Sequence, residues 1–365
     1  MRVLTALTLL LCASACSNSS WLPCPPASNS SGVCVPALSP WCAYPPYRNP
    51  YAEPAARVSD LLSRLTLQEK VNLLQTSPAN SSAVPRLGVP ATTTAECLHG
   101  YVPASPSTLF PQSISLAASF DAGLVREVAA AVGVEARAWR NLWAAAGNAS
   151  APPPSLTCFA PQINIVRDSR WGRGQETYGE SPALTQALAH AYVAGLQRGD
   201  GSGGGGASPV FGPYDLAHAT TKHFLAYQGA STRGQPSPTE VYLSVHDMIE
   251  TYEPGWRGAL EAGTAGVMCA YSSLCHDDTN TTCAAQYGPS HGVPMCANAE
   301  MTGWLRGGGD GAAPGQAWNG TVIGDCGAVQ FIETDHHWAS NQSAAAAGAS
   351  ARHGCPFLPA LRAHA

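Results

Sequence analysis

Residues 159–199 read FAPQINIV, then RDSRWGRGQETYGE, then SPALTQALAHAYVAGLQRG. The first part (159–166) is a short apolar run and predicts a buried strand. The third part (181–199) carries apolar residues at helical spacing and predicts a helix. Between them Arg167, Asp168, Arg170, Arg173, Glu176 and Glu180 crowd six charges into one segment of a chain that is only 12% charged, about half of the roughly 25% usual for soluble domains. Such a cluster beside a buried strand is either a set of structural ion pairs or a pocket served by at least one of its arginines.

The same alternation runs outward in both directions. DAGLVREVAAAVGVEARAWRNLWAAA predicts a long helix with Asp121 as its N-cap. VMCAY (267–271) and TVIGD (321–325) read as short buried strands. Nearer the N-terminus, VSDLLSRLTLQEKVNLL places Leu61, Leu62, Leu65, Val71 and Leu74 at helical spacing, and Thr66 with Glu69 forms a capping box. Strands alternating with helices imply a parallel sheet covered by helices, so the class is α/β. At 365 residues the choice lies between a barrel and a doubly wound sheet.

Several function classes are excluded. The net charge is −5 with no basic stripe, which argues against a nucleic-acid partner. No GxxxxGK[ST] is present and no GxGxxG follows a strand, so the glycine runs 201–206 and 307–311 are surface insertions and no nucleotide cofactor is expected. No CxxC or HExxH exists, and the adjacent His336 and His337 point apart, so no metal site is expected.

Residues 1–15, MRVLTALTLLLCASA, have the charge, apolar run and small-residue end of a secretory signal peptide. The apolar run is about half the roughly 20 residues of a membrane span, and no membrane partner is expected. Residues 16–50 form a Cys/Pro-rich lead-in. In an oxidising compartment most of the 13 cysteines are disulfide partners, with Cys269, Cys275, Cys283 and Cys296 stapling one loop. Sequons open at Asn18, Asn29, Asn80, Asn148, Asn280, Asn319 and Asn341. Together these predict a secreted glycoprotein, extracellular or in the cell wall.

In a parallel barrel the chemistry sits at the C-terminal ends of the strands. There the sequence offers Glu96 and His99, the charged segment after INIV, Lys222 with His223, Tyr271, and Asp325. Carboxylates, cations and aromatic rings converging on one mouth suit a sugar: charged groups hold hydroxyls and ring faces hold the C–H side of a pyranose. Taken singly, Asp325 reads equally as a helix N-cap, His223 as a satisfied core histidine, and Tyr271 as core packing.

NIVRDSRWGRGQETYGESP resembles the signature of glycoside hydrolase family 3, in its plant-type β-xylosidase and α-L-arabinofuranosidase branch. FPQSISLAASFD, Lys222-His223, VMCAY and VIGDCGAV follow in that family's order, and the resemblance covers roughly residues 45–345. It implies a (β/α)8 TIM-like barrel over 51–345, incomplete at its C-terminal end, followed by a divergent tail at 346–365. It implies a retaining glycosidase acting on an oligosaccharide or glycoside, with Asp325 as nucleophile and Glu96, Arg167, Lys222, His223 and Tyr271 binding substrate. Lys222 and Arg167 are expected to keep Asp325 ionised. Glu96, where glucosidases of the family tend to place Asp, is expected to fill the space of a hexose hydroxymethyl group and favour a pentose. Gly324 and Gly327 stand where the family has polar residues, and Ser272 where it has Asn. The family's acid/base Glu comes from a second domain, with no counterpart in this sequence. Two outcomes are therefore expected: glycosyl hydrolysis seated on Asp325, or a catalytically silent sugar-binding fragment.

Overall fold

The computed structural model describes residues 45–49, 52–74, 83–102, 106–147, 152–199, 215–228, 239–276, 292–307 and 317–352. The leader 1–15, most of the lead-in, the glycine run 201–206 and the residues from 353 onward lie outside them. The chain divides into two compact units, residues 1–75 and 76–365.

In the first unit, α1 (Pro54–Arg64) and α2 (Leu67–Leu73) are separated by Leu65 and Thr66. Thr66 accepts from the Glu69 N–H at 3.3 Å while its own N–H donates to Glu69 Oε2 at 2.8 Å, the expected capping box. Asp60 ties α1 back to the preceding turn by accepting from the Tyr47 N–H at 3.1 Å.

The second unit is α/β. Its strands are β1 (Ala95–Glu96), β2 (Thr157–Phe159), β3 (His218–Phe224), β4 (Glu240–Leu243), β5 (Gly266–Cys269), β6 (Ser273–His276), β7 (Val293–Pro294) and β8 (Thr321–Gly324). β1, β2, β3, β5 and β8 pair in that order into one sheet, every pair parallel. β4, β6 and β7 make a second, three-stranded sheet. Among the described residues the parallel sheet does not close on itself, and β1 and β8 are its edges.

The helices cover the parallel sheet as the sequence pattern requires. α3 (Ser113–Ala117) precedes α4 (Ala122–Ala145), which starts where Asp121 accepts from the Leu124 N–H at 3.0 Å. α5 (Pro182–Arg198) starts likewise at Ser181, with Pro182 in the first turn. α4 and α5 lie close because Gly133 and Gly195 leave room at the contact. A Cβ on Gly133 would meet the Leu196 carbonyl at 2.4 Å, and one on Gly195 the Arg126 carbonyl at 2.3 Å. α6 (Glu253–Glu261), α7 (Ala299–Gly307), α8 (Ala328–Thr334) and α9 (Gln342–Arg352) follow. The core is apolar and continuous from Ala95 to Ala349, with Leu188, Tyr192, Phe224, Trp256, Val267 and Ile332 each 2% exposed or less.

One expected strand is shorter than its apolar run. FAPQINIV is paired as a strand only as far as Phe159. Pro161 has no N–H to give the ladder, and beyond a single bridge at Gln162 the side chain of Asn164 takes over the pairing with β3. Disulfides pin the unit: among the described residues Cys97–Cys158 ties the end of β1 to β2, and Cys269–Cys296 ties β5 to the turn after β7. Cys275 is disulfide-bonded as well, and Cys283 lies outside the described residues.

Candidate active site

Parallel pairing brings the carboxyl ends of β1, β3, β5 and β8 to one edge of the sheet. Glu96 ends β1, and Lys222 and His223 lie near the end of β3. The chain leaves β5 towards Tyr271, and Asp325 follows β8 directly. The ladder continues one step past β5 and β8, because the Asp325 N–H donates to the Cys269 carbonyl at 3.1 Å. That bond fixes the carboxylate at the sheet edge. The register of β3 against β5 shifts between Lys222 and Phe224, and such an irregularity re-aims side chains. Lys222 and His223 both reach the site.

Asp325 is 10% exposed at its side chain. Its Oδ1 accepts from the Cys326 N–H at 2.8 Å. Its Oδ2 is buried, lies 3.3 Å from His223 Nε2 and 3.8 Å from Arg173 Nη1, and accepts no hydrogen bond. Asp325 does not cap the following helix: α8 begins after Gly327, a glycine at φ 86°, with no side-chain cap.

Arg173 organises the surroundings. Its Nε and Nη2 bond the two carboxylate oxygens of Glu176 at 2.7 and 2.8 Å, its Nη2 lies 3.0 Å from His223 Nε2, and its guanidinium lies over the Tyr227 ring. Burial works against its charge, yet the bonds to Glu176 and the attraction of Asp325 hold its pKa above the ordinary arginine value. Lys222 Nζ donates to Glu96 Oε2 at 2.8 Å. Glu96, Lys222, Arg173, Gln175, Glu176 and His99 are among the groups lining a cleft of about 250 Å³.

Electrostatics set the protonation states. Burial pushes the Asp325 carboxyl above the ordinary aspartate range, opposed by Arg173, the Cys326 N–H, the Tyr271 phenol and Lys222. Burial, then Arg173, then Lys222, hold His223 well below the usual histidine value, so the ring is neutral. Burial and the neighbouring Asp325 raise the Tyr271 phenol. Tyr271 also packs on Tyr227 and Phe331, so its packing and site positions coincide.

The model of the glycosyl hydrolase family 3 N-terminal domain matches residues 57–352. The chain belongs to this family. Curated relatives agree. A probable beta-D-xylosidase 7 of Arabidopsis thaliana is 38% identical over 291 residues, which are 76% of this chain and 33% of that protein. A beta-xylosidase/alpha-L-arabinofuranosidase 2 of Medicago sativa subsp. varia is 33% identical over 88% of this chain and 38% of its own length. Among solved structures, a family 3 exo-beta-xylosidase in complex with a xylobiose aziridine activity-based probe superposes with a TM-score of 0.65 at 27% identity, over 84% of this chain and 37% of that one. The family 3 chain thus spans about a third of the length of the curated relatives it matches.

Sequence reasoning placed Arg167 beside Asp325. In this family 3 chain the guanidinium in contact with Asp325 is that of Arg173, whereas Arg167 donates to the Tyr252 hydroxyl and lies over its ring. Lys222 favours the ionised Asp325 as expected, with Arg173 in the place of Arg167, but burial outweighs them and the pKa is raised. Glu96, Lys222, His223, Tyr271 and Asp325 are brought together as expected. Asn164 has no signal in the sequence, and Arg173 and Glu176 stand there only as members of the charged cluster. Glu176 stands three residues after Arg173, a spacing that pairs charges in a helical turn. His336, one of the two adjacent histidines weighed for a metal, is buried and donates from Nε2 to the Tyr271 carbonyl at 2.7 Å.

Proposed function

We propose that this chain carries the nucleophile and the sugar pocket of a retaining β-glycosidase, and that the sugar is a terminal non-reducing β-D-xylosyl residue of an oligosaccharide or glycoside. One observation carries the reading: a carboxylate at the mouth of a parallel sheet has one oxygen bound to an N–H and the other buried, unbonded and flanked by Arg173 and His223. The Asp325 carboxylate attacks the anomeric carbon as the bond to the leaving oxygen breaks, and that oxygen keeps the electron pair. A glycosyl ester forms, and water then opens it. Arg173 and Lys222 stabilise the ionised carboxylate, and Glu96 with Lys222 holds sugar hydroxyls in the cleft. Tyr271 provides an aromatic face beside Asp325, and the buried Tyr227 packs behind it. The reading assigns acid/base duty to no residue of this chain.

The xylosidase relatives support the preference for xylose, as does the length of Glu96, which takes up room in the cleft. The disulfides support an oxidising, extracellular setting. Asn319 and Asn341 are exposed, as glycan carriers must be.

A leaving group that needs no proton isolates the nucleophile. With dinitrophenyl β-xyloside the chain is expected to release one equivalent of dinitrophenolate in a burst, and added azide is expected to yield β-xylosyl azide. Binding of xylose without any release above the uncatalysed rate would replace this reading with that of a silent sugar-binding protein.

A further inference from the structure

His223 is fully buried, and Asn164 clamps it from one side. The His223 N–H donates to Asn164 Oδ1 at 3.0 Å, and the His223 carbonyl accepts from Asn164 Nδ2 at 2.8 Å. These two bonds fix the orientation of the Asn164 amide, because only its nitrogen can donate and only its oxygen can accept. The same Oδ1 lies 3.2 Å from His223 Nδ1. An acceptor at that point requires a proton on Nδ1. On the opposite side of the ring, Arg173 Nη2 lies 3.0 Å from Nε2. A guanidinium has only donors, so Nε2 must offer its lone pair. Both demands select the same neutral tautomer.

That tautomer bears on Asp325. Its Oδ2 lies 3.3 Å from Nε2 and forms no hydrogen bond with it, while Nε2 is turned to Arg173. With the proton moved to Nε2, an N–H would stand against the Arg173 guanidinium beside Asp325. The ring would lose its bond from Arg173, and Nδ1 would face the Asn164 oxygen with no proton between them.

We propose that Asn164 is a positioning residue: by holding the proton on Nδ1 of His223, it keeps Nε2 bound to Arg173 and so holds that guanidinium beside Asp325. The consequence for reaction rests on Asp325 being the nucleophile; the tautomer does not.

The test reads the two separately. Side-chain nitrogen-15 NMR of the full chain, with the His223 resonances assigned by their loss in His223→Gln, is expected to show protonated Nδ1 and bare Nε2. Asn164→Leu is expected to move the proton to Nε2 and to slow covalent labelling by dinitrophenyl 2-fluoro-β-xyloside by about tenfold, the scale of one hydrogen bond. Asn164→Asp keeps an acceptor at Nδ1 and is expected to retain the tautomer, which guards against a leucine variant that fails to fold. A wild-type chain with the proton on Nε2, or an Asn164→Leu variant with an unchanged ring, overturns the proposal. A wild-type chain with the Nδ1 proton that never labels supports the Asn164–His223 assignment and removes the nucleophile reading instead.

Discussion

The ammonium of Lys222, on a side chain only 3% exposed, lies 2.8 Å from Oε2 of Glu96, whose own side chain is 51% exposed. A buried cation thus has a half-exposed partner at the lip of the cleft. Water already screens the carboxylate, so the pair is worth less than a fully buried one. Glu96→Ala is expected to cost about 1–2 kcal/mol through the stranded ammonium, read as a lower Tm. Glu96→Asp keeps the charge but withdraws it by one methylene. It is expected to shift the ratio of kcat/KM for aryl glucoside over aryl xyloside towards the glucoside. An unchanged ratio would remove Glu96 from the specificity argument.

Asp325 has its pKa raised by burial. Between its ordinary value and the folded one, the native state binds the proton more tightly than the unfolded chain. Stability contributed at this site therefore falls as pH rises through that window, and above it the penalty is complete. Asp325→Asn is expected to abolish labelling and to raise Tm at neutral pH. The gain should shrink as the pH is lowered through the folded pKa. The acid limb of wild-type labelling should lie above the ordinary aspartate range. A Tm difference that does not vary with pH would contradict this.

Arg173 bonds Glu176 through two nitrogens, lies against His223 and stands 3.8 Å from Asp325. Lysine cannot reproduce the planar fork. Arg173→Lys is expected to lower the labelling rate by about 100-fold, the usual cost of removing a preorganised charge donor, and Arg167→Met by less. The reverse order would return Arg167 to the centre of the site.

Cys97–Cys158 closes a loop of 61 residues between the ends of β1 and β2. Replacing both cysteines by serine is expected to cost about 2–4 kcal/mol, seen as a lower Tm. Because Glu96 adjoins Cys97, affinity for xylose should fall as well. Unaltered xylose binding would show that the bridge serves the sheet alone.

What the sequence made legible was the part governed by local pattern. The alternation of apolar runs gave the parallel α/β sheet, and capping chemistry at Thr66 and Asp121 gave helix starts. Strand-end logic brought Glu96, Lys222, His223, Tyr271 and Asp325 to one edge. The choice between Arg167 and Arg173 was not legible, because both follow the same run and the path of RDSRWGR through a loop has no period to read. Asn164 was hidden for a related reason. It sits in an apolar run that reads as strand, and its role appears only where Pro161 ends the ladder and a side chain continues it. The sign of the Asp325 shift depends on burial, which no spacing of charges reports.

The most direct measurement is covalent trapping. Incubating the chain with dinitrophenyl 2-fluoro-β-xyloside, digesting it and sequencing the labelled peptide by mass spectrometry should place one fluoroxylosyl group on Asp325, with no label in Asp325→Asn. A label on Glu96, Glu176 or any other carboxylate, or an unlabelled chain that still binds xylose, would contradict the assignment of Asp325 as the nucleophile.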